Sequence, residues 1–319
     1  MKDLRIYDFD FNLLAVESKI ISSNRKTYFR GRGTAEIHLP KTAKCIKTLF
    51  ENRYLLMTQG DYQAIITGKQ IGSDCVIYAK TPEWILSKRV LKSFEEMTEG
   101  AESFVRRMVR RAFSDCDNFI LGEICGIEDE VTVFEESYCV LESVIKDVLK
   151  KCDAGYKVSF DIPNRKWVFK VIKGIERPIL IAEDCLNASN SEYIFDIQDY
   201  ISAGFYEREL NEDESENGQK TLWTEIIKDK NSGILRWEKV LSSYTESDAK
   251  REVDAADIEE SITARVRNLQ FGKDYGLGDV VMLSLNMNEL KRTKKYRITG
   301  VEIWEESGDE GEQPIFEEV

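Results

Sequence analysis

Histidine is almost absent from this sequence, since His38 is the only one in 319 residues. Any catalytic dyad or triad that uses an imidazole must therefore use His38, and a zinc site of paired Cys and His lacks its ligands. The seven cysteines include no CxxC pair, and their odd number argues against a disulfide framework. We therefore expect reduced, mostly buried thiols and no metal site.

Glycine-rich phosphate loops and long apolar runs are also missing. The chain contains neither a GxGxxG fingerprint nor a GK[ST] loop, so a nucleotide cofactor is not expected. No stretch approaches the roughly 18 uncharged apolar residues that a membrane span needs. Met1–Arg5 carries charges where a signal peptide would have its apolar run, so we expect folding in a cytoplasm.

The charge is strongly acidic and unevenly spread. The formal net charge is -13, so the chain lacks the general basic face that nucleic-acid binding requires. Glu302–Val319 holds eight acidic and no basic residues, whereas Met1–Gly60 has eleven basic against six acidic. We expect the two ends to attract each other, within one subunit or between subunits.

The first ~90 residues read mainly as strands. Ala35, Ile37 and Leu39 alternate with polar residues, and Pro40 ends that strand because it cannot donate to a ladder. Gly60-Asp61 predicts a turn between two further strands, and residues 82 to 91 read as a short helix.

A helix is predicted from Ala101 to Phe113, with an apolar stripe of Val105, Met108, Val109 and Ala112. Four arginines cover its other side. They suggest a docking face for an acidic partner or a phosphate, or else an ordinary solvated helix face. These candidate docking residues are Arg106, Arg107, Arg110 and Arg111.

A helix and a hairpin follow. Ser137 to Lys151 reads as a second helix, and the strands that start at Tyr156 and Trp167 flank a turn at Pro163–Arg165. Beyond Pro178 the pattern is again β-rich, apart from a third helix predicted over 248–268. The expected organisation is a β-barrel-like domain over 1–95, an α/β insertion over 96–177, and a second β-rich domain with an acidic tail over 178–319.

No catalytic constellation emerges. By alternation His38 lies on the polar side of a strand, and with 58 acidic residues any nominated carboxylate pair is uninformative. Asp213-x-Ser215-x-Asn217-Gly218 matches the first half of a calcium loop, but Thr224 stands where a bidentate Glu is required. We expect no catalytic residues, no cofactor and no metal ligands.

Several segments in order resemble the siphovirus-type tail-hub proteins of phages, prophages and tail-like bacteriocins. Glu176 stands where the family usually has Asp in a Gly-x-Asp-Arg signature, and Tyr200–Gly204 departs from the family's strand at that point. The segments that carry the resemblance are Arg5–Leu14, Gly33–Pro40, Ala64–Ile71, Trp84–Leu91, Gly155–Val158, Lys166–Arg177 and Asp274–Val281.

The resemblance implies an α+β, mainly β fold of barrel-like domains with a helix-plus-hairpin insertion. It implies a structural hub of a tail baseplate in a virion or tail-like particle, assembled in the host cytoplasm. A homotrimeric ring would join the tail tube, or distal tail protein, to a spike or tip protein. It would surround a channel through which the tape-measure protein and DNA pass without specific binding.

Two alternatives stay open from the sequence. One is a tail-associated cell-wall hydrolase or endopeptidase. The other is a module that binds cell-surface glycans through stacked tryptophans, although scattered tryptophans are more often core or interface residues. The five tryptophans are Trp84, Trp167, Trp223, Trp237 and Trp304.

Overall fold

The computed structural model describes residues 2–94, 97–133, 136–209, 221–287, 290–306 and 309–319. Strands dominate it, and helices are few and short. The prediction of an α+β, mainly β fold is confirmed. Within those ranges, no helix is long and apolar enough to cross a membrane.

The N-terminal segment is built of short antiparallel strands. Its strand and turn boundaries confirm two predictions, since one strand ends immediately before Pro40 and Gly60 forms a turn with φ of +61°. The predicted helix over 82–91 is a 3-10 helix that ends at Lys88. The elements are β1 (Leu4–Tyr7), β2 (Leu13–Glu17), β3 (Ser22–Tyr28), β4 (Thr34–Leu39), α1 (Ile46–Glu51), β5 (Leu55–Gln59), β6 (Tyr62–Ile71), β7 (Cys75–Lys80) and the 3-10 helix (Pro82–Lys88).

The predicted helix-plus-hairpin insertion is present. Its second helix begins at Leu141 and not at Ser137, because the residues before Leu141 pair as a strand, with Cys139 opposite Leu91. The elements are β8 (Val90–Phe94), β9 (Met97–Gly100), α2 (Ala101–Ala112), β10 (Phe119–Leu121), β11 (Glu130–Val133), β12 (Glu136–Val140), α3 (Leu141–Lys151), β13 (Ala154–Asp161) and β14 (Lys166–Lys173).

The remaining chain returns to strands, and the helix predicted over 248–268 is wrong in extent. That helix starts after Thr245, whose side chain accepts from the N–H of Asp248, and it ends at Ala255. The elements are β15 (Glu176–Ala182), β16 (Ala188–Asp196), β17 (Ala203–Glu209), β18 (Thr221–Ile227), a 3-10 helix (Gly233–Leu235), β19 (Glu238–Val240), α4 (Glu246–Ala255), β20 (Glu259–Val266), β21 (Val280–Met287), β22 (Leu290–Glu306) and β23 (Asp309–Glu318).

The chain forms two compact units: residues 1–192 with 262–319, called the main unit, and residues 193–261, called the small unit. The three-domain division at 95 and 177 stays a prediction. In the main unit, one sheet runs in the order β20-β23-β22-β3-β4-β7-β6-β5-β1-β2. Strand β21 pairs with the first half of β22, and β15 pairs in parallel with β21. The small unit holds the sheet β18-β17-β19 and helix α4.

Strand β22 organises the main unit. It is 17 residues long, with a register shift between Ile298 and Gly300. Its first half pairs with β21, its second half pairs with β3, and β23 lies along its other edge. The N-terminal strands and the late strands therefore share one hydrogen-bonded sheet.

The insertion packs its helices on its hairpin. The predicted stripe on α2 is confirmed, because Val105, Met108 and Val109 are fully buried. The same core cluster continues into the N-terminal segment, where Phe11 makes edge-to-face contacts with Phe160 and Trp167. The insertion and the N-terminal segment thus share a hydrophobic core.

Candidate functional site

Two sequence motifs far apart in the chain meet in the main unit. The buried carboxylate of Asp279, which ends the Leu-Gly-Asp turn, accepts from Arg177 Nε at 2.7 Å. It also accepts from the backbone N–H groups of Ile175 and Gly276, both at 2.9 Å. The N–H of Val280 in turn donates to the carbonyl of Ile175, which starts the parallel pairing of β15 with β21. We call this contact between Gly174–Arg177 and Gly276–Val280 the motif junction.

Glycine is required on both sides of the motif junction. A Cβ on Gly174 would lie 1.8 Å from the carbonyl oxygen of Gly278, which no real contact permits. Gly278 has φ of +86°, and its Cβ would lie 2.3 Å from the ring of Phe29. A Cβ on Gly155 would likewise lie 2.5 Å from that ring. The fully buried Phe29 is therefore contacted by two glycine backbones.

Backbone hydrogen bonds complete the arrangement around Phe29. Its N–H donates to the carbonyl of Thr299 at 2.8 Å, and its carbonyl accepts from the N–H of Tyr156 at 3.2 Å. The N–H of Gly278 donates to the carbonyl of Ile298 at 2.8 Å. The end of β3, the hairpin and the late strands are thus joined at one place. The sequence displays these motifs individually, but nothing in their spacing shows that they meet.

Buried polar side chains bind the hairpin to the N-terminal segment. The buried carboxylate of Glu83 accepts from the N–H of Val158 at 2.9 Å, and burial raises the pKa of Glu83. Gln63 binds both backbone groups of Phe160, through its oxygen at 2.5 Å and its nitrogen at 2.9 Å. Such satisfied buried groups hold packed elements in one arrangement. These hydrogen bonds hold the hairpin against the N-terminal segment.

The outer face of the sheet formed by β22, β3, β4 and β7 carries an open polar groove of about 680 Å³. Hydroxyl, amide, lysine and carboxylate groups line it. The groove is lined by Ser22, Ser23, Asn24, Lys26, Thr34, Ala35, Glu36, His38, Thr67, Tyr78, Ala79, Lys80, Trp304, Glu305 and Glu306.

His38 lies in this groove between two carboxylates. Its Nδ1 is 2.5 Å from Asp74 Oδ2, and its Nε2 is 2.9 Å from Glu36 Oε1. The hydrogen bond with Asp74 raises the pKa of His38, and the one with Glu36 adds to it. A general base needs a free imidazole nitrogen facing a nucleophile, whereas here both nitrogens face carboxylates. The Ser73 hydroxyl binds Asp74 and not the imidazole, so this is not a triad.

The aromatic side chains of the groove cover glycines of neighbouring strands. A Cβ on Gly311 would lie 2.3 Å from the Trp304 ring, and the guanidinium of Arg265 lies 4.7 Å from the centre of the same ring. The Tyr78 side chain lies likewise against Gly68. Contacts of this kind compensate for the missing side chain of a strand glycine. The Trp304 side chain is therefore packed against its own sheet.

The other tryptophans have different surroundings. Trp167 is buried, Trp84 contacts Lys88, and Trp237 donates from its indole to the carbonyl of Ile234. Trp223 is the most exposed of the five, at 55 %. Trp237 is also exposed, at 37 %, so two of the five rings lie at the surface, both in the small unit.

The candidate docking arginines of α2 have different surroundings. Arg106 is half-buried and donates to the carbonyls of Gly122 and Glu123, while Arg107 forms an ion pair with Glu99. Arg110 and Arg111 are exposed. They lie at the C-terminal end of the helix, where the helix dipole favours cations. Their role in docking stays a prediction.

The opposite charges of the two chain ends meet within the subunit. Strands β3 and β22 bring Lys26 to 3.1 Å from Glu302, and Arg25 forms an ion pair with Glu305. The predicted attraction between the two ends therefore occurs at least partly within one chain.

The calcium-like segment and the cysteines are the remaining candidates for metal or thiol chemistry. The calcium-like segment 213–218 lies outside the described residues, and Thr224 pairs with Tyr206 in an ordinary strand ladder. No cluster of His, Cys, Asp and Glu suited to a metal ion occurs within the described ranges. All seven cysteines are free thiols, and Cys45, Cys75 and Cys152 are buried.

Comparison with solved structures identifies the fold. A tail protein from Neisseria meningitidis matches with a TM-score of 0.59 at 8 % identity, over 99 % of this chain and 96 % of that one. A 43 kDa tail protein of a Shewanella oneidensis prophage matches with 0.56 at 9 % identity, over 99 % and 98 %. The prophage tail protein gp18 from Listeria monocytogenes matches with 0.54 at 13 % identity, over 98 % and 94 %.

These matches show that the chain has the fold of phage and prophage tail proteins from end to end, as the sequence resemblance predicts. No protein-family model matches the chain. A search of curated proteins also finds no match.

Proposed function

We propose that this protein is the structural hub of a phage-tail or tail-like-particle baseplate. The observation that carries the proposal is the whole-chain fold similarity to three tail proteins, each covered over at least 94 % of its length. At 8 to 13 % identity this support is an analogy of fold. The role is structural and not catalytic.

Three copies form a ring that joins the tail tube, through a distal tail protein, to a spike or tip protein. The ring surrounds the channel for the tape-measure protein and DNA. An overall net charge of -13 suits a passage in which DNA must not adhere. The rigid connections at the motif junction support this role, since a ring that transmits force needs subunits that do not deform.

The arrangement of His38 favours the structural role over the tail-associated hydrolase. Both imidazole nitrogens face carboxylates at 2.5 and 2.9 Å, a geometry that stabilises the imidazolium and leaves no lone pair for proton abstraction. The engaged Trp304 similarly weighs against a glycan-binding module. No contact of the described residues specifically favours either alternative.

The decisive experiment is the solution mass of the purified chain by light scattering over a concentration series, followed by negative-stain microscopy. We expect a species of three times 36.8 kDa, about 110 kDa, and ring-shaped particles with a central opening. A chain that stays at 36.8 kDa at every concentration contradicts the ring. Solid particles without an opening contradict the channel, and cell-wall hydrolysis by the pure protein contradicts the non-enzymatic role.

A further inference from the structure

Strand β2 ends the long sheet of the main unit, and among the described residues it pairs with β1 alone. Its apolar side chains are unusually exposed: Leu13 by 53 %, Val16 by 46 % and Leu14 by 37 %. An apolar edge strand offers a row of free N–H and C=O groups to any extended chain. Native proteins ordinarily protect such an edge.

The branch of the same sheet that ends in β15 is protected. β15 contains Pro178, which cannot donate to a ladder, and its register shifts between Glu176 and Leu180. The side chain of Asn187 also donates to the carbonyl of Leu180 and accepts from the N–H of Ala182. Strand β2 has no proline, and its single charged residue is its last one. The edge at β2 therefore lacks the features that protect the edge at β15.

A second apolar edge, to which no further strand is paired among the described residues, lies in the small unit. Strand β18 pairs with β17 alone among the described residues, and Trp223, Ile227 and Leu222 are 55, 54 and 40 % exposed. The opposite edge, β19, is only three residues long and carries two charges. β18 has seven residues against five in β2, so β18 is long enough to pair with the whole of β2.

We propose that β2 of one copy adds to β18 of the next copy, head to tail around the ring. Two different unprotected edges on one chain are what a heterologous contact requires, and such contacts close into rings when the rotation permits. Both exposed apolar strands are then covered and both ladders are extended by another strand. This inference rests on the proposed trimeric ring and specifies the surfaces that build it.

Cross-linking tests which edges meet. In a background with the exposed thiols removed, C125S with C185S, one variant carries Val16→Cys, a second carries Leu222→Cys, and a third carries both. A flexible bismaleimide is added and covalent species are read on a denaturing gel. The double variant is expected to give a ladder that ends at the trimer, whereas each single variant stays monomeric.

The possible outcomes separate this inference from the proposed function. Dimers of the Val16→Cys variant alone mean that β2 meets β2, which overturns the inference. A trimer by light scattering with no cross-link in the double variant overturns the inference and leaves the ring intact. A wild-type chain that never forms trimers overturns the ring and this inference with it.

A charge substitution provides an independent measurement on the same edge. Val16→Lys adds a charge to the free edge, and we expect the concentration at half-trimerisation to rise at least about tenfold. Ile71→Lys is the matched control, because Ile71 is 51 % exposed on β6, away from the edge. Circular dichroism checks that both variants are folded, and equal trimerisation of the two variants overturns the inference.

Discussion

Removing the Asp279 carboxylate tests the motif junction most directly. In an Asp279→Ala variant the N–H groups of Ile175 and Gly276 lose their acceptor, and Arg177 loses its ion pair. Each unpaired N–H costs at least about 1 kcal/mol. The ion pair adds at most about 1 kcal/mol, because the Arg177 side chain is 35 % exposed. We expect the free energy of unfolding to fall by about 3 kcal/mol, a large share of an ordinary domain's stability.

The assay is urea unfolding followed by circular dichroism, with the slope of the transition compared between variants. Glu176→Ala is the matched control, since Glu176 lies in the same motif but its side chain is exposed and forms a surface ion pair with Lys295. We expect that variant to change stability by less than about 1 kcal/mol. Equal effects of the two substitutions would refute the argument that the junction holds β15 and β21 together.

Three further predictions follow from the described contacts. Gly174→Ala places a Cβ against backbone and should lower the free energy of unfolding by about 3 kcal/mol, whereas Gly72→Ala enters open space and should leave it nearly unchanged, as urea unfolding will measure. The pKa of His38 is raised in the folded state. Its contribution to the free energy of unfolding is therefore fully present below the unfolded pKa of about 6.5, and it is lost as pH rises through the folded-state pKa. His38→Gln should therefore lower the melting temperature more at pH 6 than at pH 8, and an effect independent of pH would contradict this. The Glu102 carboxylate accepts three backbone N–H groups of residues 125–127, so Glu102→Gln should speed hydrogen exchange there and cost about 2 kcal/mol; unchanged exchange would refute the assignment.

Local patterns predict the elements whose apolar residues face one partner. The stripe of α2 is buried as its spacing indicates, and β4 ends at Pro40 because proline cannot donate to the ladder. The error over 248–268 has a physical cause. Ala264 and Val266 are buried at strand spacing, because that segment pairs with β23, which a local window does not include.

Periodicity, proline and glycine act through neighbouring residues, so local patterns are enough to predict the mainly β class and the helix-plus-hairpin insertion. The resemblance to tail proteins comes from the motifs along the chain. Three contacts are visible in the folded chain alone: Arg177 meets Asp279, Phe29 lies against two glycines, and His38 lies between two carboxylates. These contacts join residues brought together by strand order and register. Sheet pairing is non-local, so no pattern within one segment specifies its partner.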